Sequence, residues 1–252
     1  MSTKRFWILS VFSFQLFSFL FSIPAASKEK TIVLATDEWA PYYSRHLKQQ
    51  GFLAEITKEA FHRAGYDCQI KFVPWERAMT LAQKGIYDGI LGAYHTHQRE
   101  EYFHYSLPIT EDQLHFFWLK DREIQYRELQ DLVNYKIGVV KGYNYGDEFE
   151  RANYLNKIGN YNVESNVLLL LKGRIDILVG SKKVINMILE ENHFSEQSRV
   201  QMSEIPLISQ KLYILISHQS QYHENALSDF NHSFKSMETD GTIEAILSKH
   251  GF

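Results

Sequence analysis

Residues Gly92–Ser106 read GAYHTHQREEYFHYS, and Leu107-Pro108 follow at once. Three histidines, one arginine and three tyrosines share this short span. Three uses compete for it: a metal site, a catalytic site, or the grip of a binding protein. His95 and His97 form His-x-His, which on a strand sets both rings on one face, and His104 lies seven residues on. No cysteine, second carboxylate motif or His-Glu-x-x-His completes a metal site. Loop or cleft-edge histidines are the plainer reading, and neither a metal nor a cofactor is expected.

The surroundings of this stretch are α/β in pattern. Thr31–Ala35 (TIVLA) reads as a buried strand. Gly51 opens a helical pattern with Leu53, Ile56, Ala60 and Ala64 on one face, ended by Gly65. Cys68–Val73 alternates as a strand, Trp75–Lys84 reads as a helix closed by Gly85, and Ile86–Leu91 is the next strand. Strand–helix alternation of this kind implies a parallel sheet with crossover helices. The pattern restarts after a short helix around Glu128–Val133. Lys136–Val140 is a strand, Tyr145–Tyr154 a helix, Ser165 the N-cap of NVLLLLKG, Ile175–Val179 a strand, and Ser181 opens a helix through Glu191. Two apolar segments, Leu114–Leu119 and Leu212–Ser217, bracket this second unit and read as strands crossing between lobes. Helices over Glu224–Met237 and Thr242–Lys249 return to the first lobe. Clefts at strand carboxyl ends are where open α/β sheets bind ligands.

Composition narrows the function. The 252 residues are 44% hydrophobic and 23% charged, an ordinary globular balance. Lys4 and Arg5, an apolar run from Phe6 to Ile23, and small residues before Lys28 make a signal peptide over residues 1–27, with cleavage expected after Ser27. Export to the periplasm follows. The mature chain then carries 25 basic and 30 acidic residues, a net charge of −5. Lys182-Lys183 is too short for a nucleic-acid footprint, so no nucleic-acid partner is expected. The single Cys68 cannot form an internal disulfide and reads as a buried strand residue.

Four segments in order resemble one family. GFLAEITKEAFHRAGY resembles the first helix segment of the family 3 periplasmic solute-binding proteins, the polar-amino-acid receptors of ABC importers. GIYDGILGAYHTHQREEYFHYSLP resembles their Gly-x-x-Asp strand followed by Thr-x-x-Arg and Phe-Ser-x-Pro. IGVVKGYNYG resembles the start of their second lobe, and LLKGRIDILVGS their Leu-x-x-Gly-x-x-Asp element. The resemblance implies two Rossmann-like lobes joined by two crossing hinge strands, the type II periplasmic binding fold, with a ligand cleft between lobes that closes by hinge motion. Lobe 1 is expected over 28–116 and 212–252, and lobe 2 over 117–211. A monomer without enzymatic activity is expected, with a small-molecule ligand and an ABC permease in the inner membrane as partners.

The resemblance also assigns site residues. Arg99 falls where the family arginine grips a ligand carboxylate, a use that suits the planar fork of a guanidinium. Thr96 falls where a family threonine adds donors to the same carboxylate. Trp39 and Trp75 match two aromatic walls that sandwich the ligand. At other family site positions stand Tyr94, Tyr143 and Asn144, and Ser181 replaces the acid that neutralises a ligand ammonium. Glu38 is the candidate to supply that negative charge. A carboxylate ligand held other than as a standard zwitterion is therefore expected. Two other classes stay open: a periplasmic sensor without a transporter, and a dehydratase-like cleft enzyme using Glu38, Glu111 or a histidine as acid–base group.

Overall fold

The computed structural model describes residues 30–192 and 194–252. The expected signal peptide lies outside them. The first alternation is β1 (Lys30–Thr36), α1 (Phe52–Arg63), β2 (Tyr66–Phe72), α2 (Trp75–Gln83) and β3 (Gly89–Tyr94). Then come α3 (His97–Glu100), β4 (Phe103–Tyr105) and the long β5 (Thr110–Leu119). The second alternation is β6 (Lys136–Val140), α4 (Asp147–Arg151), β7 (Asn156–Asn160), α5 (Val163–Leu171) and β8 (Ile177–Ser181). It is followed by α6 (Lys182–Asn192), α7 (Phe194–Gln197), β9 (Val200–Met202), β10 (Ile208–Ser217), α8 (Ala226–Thr239) and α9 (Thr242–Lys249).

The strands form one mixed sheet in the order β2-β1-β3-β10-β5-β8-β6-β7, with β4 on β10 and β9 on β5. One arrangement occurs twice. In the first lobe β2, β1 and β3 run parallel and β10 is antiparallel to β3. In the second, β7, β6 and β8 run parallel and β5 is antiparallel to β8. The long strands exchange lobes: β5 follows the first alternation but pairs into the second, and β10 does the reverse. They pair with each other over 110–114 and 208–212. The apolar segments expected to cross are thus the embedded halves of these strands. The crossing ribbon itself alternates exposed with buried or half-buried residues, so it carries no apolar run.

Local chemistry sets several element boundaries away from those expected. β3 begins at Gly89, because Ile86 donates its N–H to Leu81 O in a turn and its side chain is exposed. Asp88 closes that turn by accepting from Val33 N at 2.8 Å. α5 begins at Val163, because Asn162 Oδ1 accepts from Ser165 N at 2.8 Å; Asn162, not Ser165, is its N-cap. The helix expected over 145–154 shrinks to α4, since Gly146 has φ +93° and Tyr145 turns its hydroxyl back to accept from Val140 N. The last strand of the sheet, β7, escaped the sequence pattern because NKIGN is a polar edge segment. Cys68 sits buried on β2, and burial pushes its thiol up to about 12, which leaves it inert near neutral pH.

Candidate functional site: the inter-lobe cleft

The carboxyl ends of β1, β2, β3, β6 and β8 bring most of the expected site residues to the cleft, as the geometry of parallel α/β sheets dictates. Arg99 follows β3 on the short α3. It is 8% exposed. Its Nη1 donates to Tyr94 O at 2.8 Å and its Nη2 to Gly142 O, across the cleft, at 3.2 Å. The guanidinium lies 5.5 Å above the Trp75 ring. Desolvation pulls the Arg99 pKa below the ordinary guanidinium value, and Glu150 is the carboxylate that most opposes this through space. A guanidinium carries five N–H donors. Two carbonyl oxygens take only part of that capacity, and neither supplies a formal negative charge. Thr96 fixes the approach: it caps α3, its Oγ1 accepting from Arg99 N at 3.2 Å.

The aromatic residues close around this point. Trp39 is 4% exposed, stacks on Tyr42 (4.6 Å, 23°) and meets Tyr94 edge-on (6.1 Å, 75°). Trp75 is equally buried, donates from Nε1 to Gly142 O at 2.9 Å and meets Tyr143 edge-on (5.5 Å, 79°). Trp39, Trp75, Tyr94, Arg99, Tyr143 and Asn144 line one inner cavity of about 20 Å³, together with Tyr43 and Gly92. A vestibule of about 670 Å³ opens above it, walled by Thr96, Arg99, Tyr143, Asn144 and the start of α4 among others. Seven of the nine expected site residues therefore meet around this inner cavity and its vestibule.

Ser181 sits deeper. It ends β8 and lines a small void of about 10 Å³ with Trp39, Tyr94 and Tyr143. Its Oγ accepts weakly from Val184 N at 3.4 Å and donates to Asp112 Oδ1 at 2.8 Å. Asp112, on the crossing strand β5, also receives Tyr42 OH at 2.7 Å and Tyr94 OH at 2.8 Å. Burial raises the Asp112 pKa, and the three hydroxyls work against that rise. Sequence reasoning weighed Glu111 and passed over Asp112. The alternation of TEDQL held the signal, since Asp112 shares the buried face with Leu114.

Glu38 stands apart. It forms an exposed ion pair with Arg45 and also accepts from Arg45 N at 3.0 Å. Its neighbour Asp37 is the acid that faces inward. Asp37 Oδ2 accepts from Tyr143 OH at 2.5 Å, while buried Oδ1 has no hydrogen-bond partner from another residue among the described residues. Burial pushes the Asp37 carboxyl up to about 7, with the Tyr143 bond opposing. Both acids follow β1 directly, and the sequence held no signal for which of them turns inward.

None of the three histidines of the opening stretch lines the inner cavity, and His97 alone of them walls the vestibule. β3 ends at Tyr94 and Thr96 starts a helix, so His95 and His97 do not share a strand face. Both pair with Glu100, at 2.6 and 3.3 Å. His104 packs on His218 with ring centroids 4.2 Å apart. Among the described residues, no group of three or more His, Cys, Asp or Glu side chains is placed to hold a metal.

Solved structures share this architecture. An ancestral arginine-binding protein bound to arginine aligns with a TM-score of 0.76 and 20% identity, covering 88% of this chain and 98% of that one. A histidine kinase sensor domain with similarity to periplasmic binding proteins gives 0.76 and 19%, covering 88% and 96%. The GluR0 ligand-binding core from Nostoc punctiforme, in complex with L-glutamate, gives 0.73 and 16%, covering 87% and 99%. At such identities the likeness is one of fold. Comparison with curated proteins gives no match. The model of the bacterial extracellular solute-binding proteins, family 3, matches residues 32–252, which takes in both lobes, the crossing strands and every expected site residue. The chain belongs to that family of ligand-binding proteins.

Proposed function

We propose that this protein captures a small carboxylate-bearing, amino-acid-like molecule between its lobes and delivers it to an ABC permease. The observation that carries the reading is Arg99: a buried guanidinium at the cleft, stacked on Trp75 and, among the described residues, hydrogen-bonded only to carbonyl oxygens. A buried charge without an anionic partner is costly, and a ligand carboxylate would supply that partner. Asp37 is the complementary feature, a buried acid with one oxygen unpaired among the described residues. It takes the role expected of Glu38 and accepts a cationic or other donor group of the ligand. Ser181 does not take part as an anion, and Asp112 is occupied by three hydroxyl donors. The acidic end of the site thus lies at Asp37. Arginine-binding neighbours of the same fold agree with such a polarity.

Lobe 1 comprises residues 28–116 and 212–252 and lobe 2 residues 117–211, and the mature protein acts as a periplasmic monomer after cleavage behind Ser27. A sensory role is the second reading, favoured by the histidine kinase sensor domain among the neighbours. A thermal-shift screen of the mature protein against amino acids, amines and small carboxylates tests the ligand class. Stabilisation by carboxylates that bear a donor group is expected. Stabilisation by amines alone would contradict it. Mass spectrometry of the exported form checks the N-terminus near Lys28.

A further inference from the structure

We infer that the Gly142–Tyr143 segment is a built-in stand-in for the ligand, and that Tyr143 decides which molecules can replace it. The inference rests on reading the cleft as the ligand site. The turn after β6 offers the opposite lobe what a bound ligand would offer. Gly142 O gives an acceptor to Trp75 Nε1 at 2.9 Å and to Arg99 Nη2 at 3.2 Å. The Tyr143 ring meets the edge of Trp75. The Tyr143 hydroxyl gives a donor to Asp37 Oδ2 at 2.5 Å. An acceptor, a flat body and a donor thus span from the cation to the buried acid within two residues.

The cavities point the same way. Tyr143 lines the vestibule of about 670 Å³ and both inner voids, of about 20 and 10 Å³. Voids of that size have room for about one water molecule each, which needs about 10–15 Å³ of such space. Neither inner void admits an organic molecule while Tyr143 stays in place. The ring is the partition that divides one site into three spaces. Glycine at 142 is part of the device: its φ is +77°, which strains any other residue, and a Cβ there would come within 3.1 Å of Glu76 and 3.2 Å of Trp75 and push on both.

A ligand must therefore outcompete an internal rival. It needs an anionic oxygen better than the Gly142 carbonyl for Arg99, and an N–H or O–H group to replace the phenol on Asp37. Simple monocarboxylates lacking the second group restore only half of the interactions that they break. The stand-in also holds the lobes together before any ligand arrives.

The test begins with ligand-free mature protein. Small-angle scattering and acrylamide quenching of Trp39, Trp75 and Trp118 are compared for wild type, Tyr143→Phe and Asp37→Ala. The inference expects a compact wild type and a larger radius of gyration with stronger quenching in both variants. Identical radii and quenching in all three would overturn it. Calorimetry with L-arginine as the probe separates a rival from a ligand contact. Removing a hydrogen bond to a charged group is a factor of about ten or more, so Tyr143→Phe should bind the probe about tenfold more tightly. Weaker binding in Tyr143→Phe would make Tyr143 a ligand contact and refute the rivalry. If L-arginine binds none of the three proteins, it is not a ligand of this cleft, and the scattering and quenching results decide the stand-in by themselves.

Discussion

Ser181 Oγ donates to Asp112 Oδ1 at 2.8 Å, at the base of the cleft where the long strands pass between lobes. The bond joins the end of β8 to the crossing strand β5. Tyr42 and Tyr94 add their hydroxyls from the first lobe. A buried carboxylate is tolerated here because three donors replace its water.

Asp112 therefore serves the fold at the hinge. Asp112→Ala leaves three buried hydroxyls without their acceptor and should cost about 2–5 kcal/mol of stability. Urea unfolding of the ligand-free protein measures this. A midpoint unchanged from wild type would show that the hub is dispensable. Ser181→Ala removes only one donor and a weak cap, and should cost about 1 kcal/mol.

Gly92 sits in β3 with φ +78°, at the register shift against β10, where Ala93 and Leu91 pair with successive residues. A Cβ there would fall 2.4 Å from Tyr43 Cε1. Gly92→Ala should displace the Tyr43 ring that lines the inner cavity and destabilise the protein by about 2 kcal/mol or more. Thermal unfolding with near-ultraviolet circular dichroism reads both effects. A wild-type melting temperature would contradict the close approach.

Asp37 makes stability fall as pH rises. Its carboxyl titrates near 7 in the folded chain against 3.8 in the ordinary case. Between those values the folded state binds more protons than the unfolded state, so stability declines with rising pH across that window. Burial is the main cause, and Glu38 adds a small repulsion in the same sense. The raised Asp112 acts in the same direction, so the comparison must isolate Asp37. Wild type minus Asp37→Asn should lose stability from about pH 4 to about pH 7, on the order of a few kcal/mol at most. A difference that is flat with pH would show Asp37 to be an ordinary carboxyl.

Much of the fold was legible in the residues, and the failures have physical causes. The strand–helix alternation and the GIYDGILGAYHTHQREEYFHYSLP segment pointed to the two-lobed α/β fold and its family. Arg99, Trp39, Trp75, Tyr94, Tyr143 and Asn144 do gather around one cavity. What sequence did not yield depends on which way a side chain turns in a loop. Asp37 and Glu38 are adjacent acids, yet one is buried against Tyr143 and the other faces Arg45. The crossing of β5 and β10 was displaced for a related reason. The eye follows the apolar halves, while the hinge pairs the polar ones, whose alternate residues face water. The role of Tyr143 needed the opposite lobe in place, because both of its partners come from distant segments.

Arg99 carries the central claim, and calorimetry on matched pairs tests it most directly. Each carboxylate that stabilises the mature protein is titrated beside its decarboxylated amine, L-arginine beside agmatine being one such pair, into wild type and Arg99→Ala. A bidentate charge-assisted pair in a buried site is worth about 1.5–3 kcal/mol, or roughly tenfold to 150-fold in affinity. The account predicts that the carboxylate binds wild type by that factor more tightly than the amine, and that Arg99→Ala removes the preference. Equal binding of carboxylate and amine to wild type, or undiminished carboxylate affinity in Arg99→Ala, would contradict it.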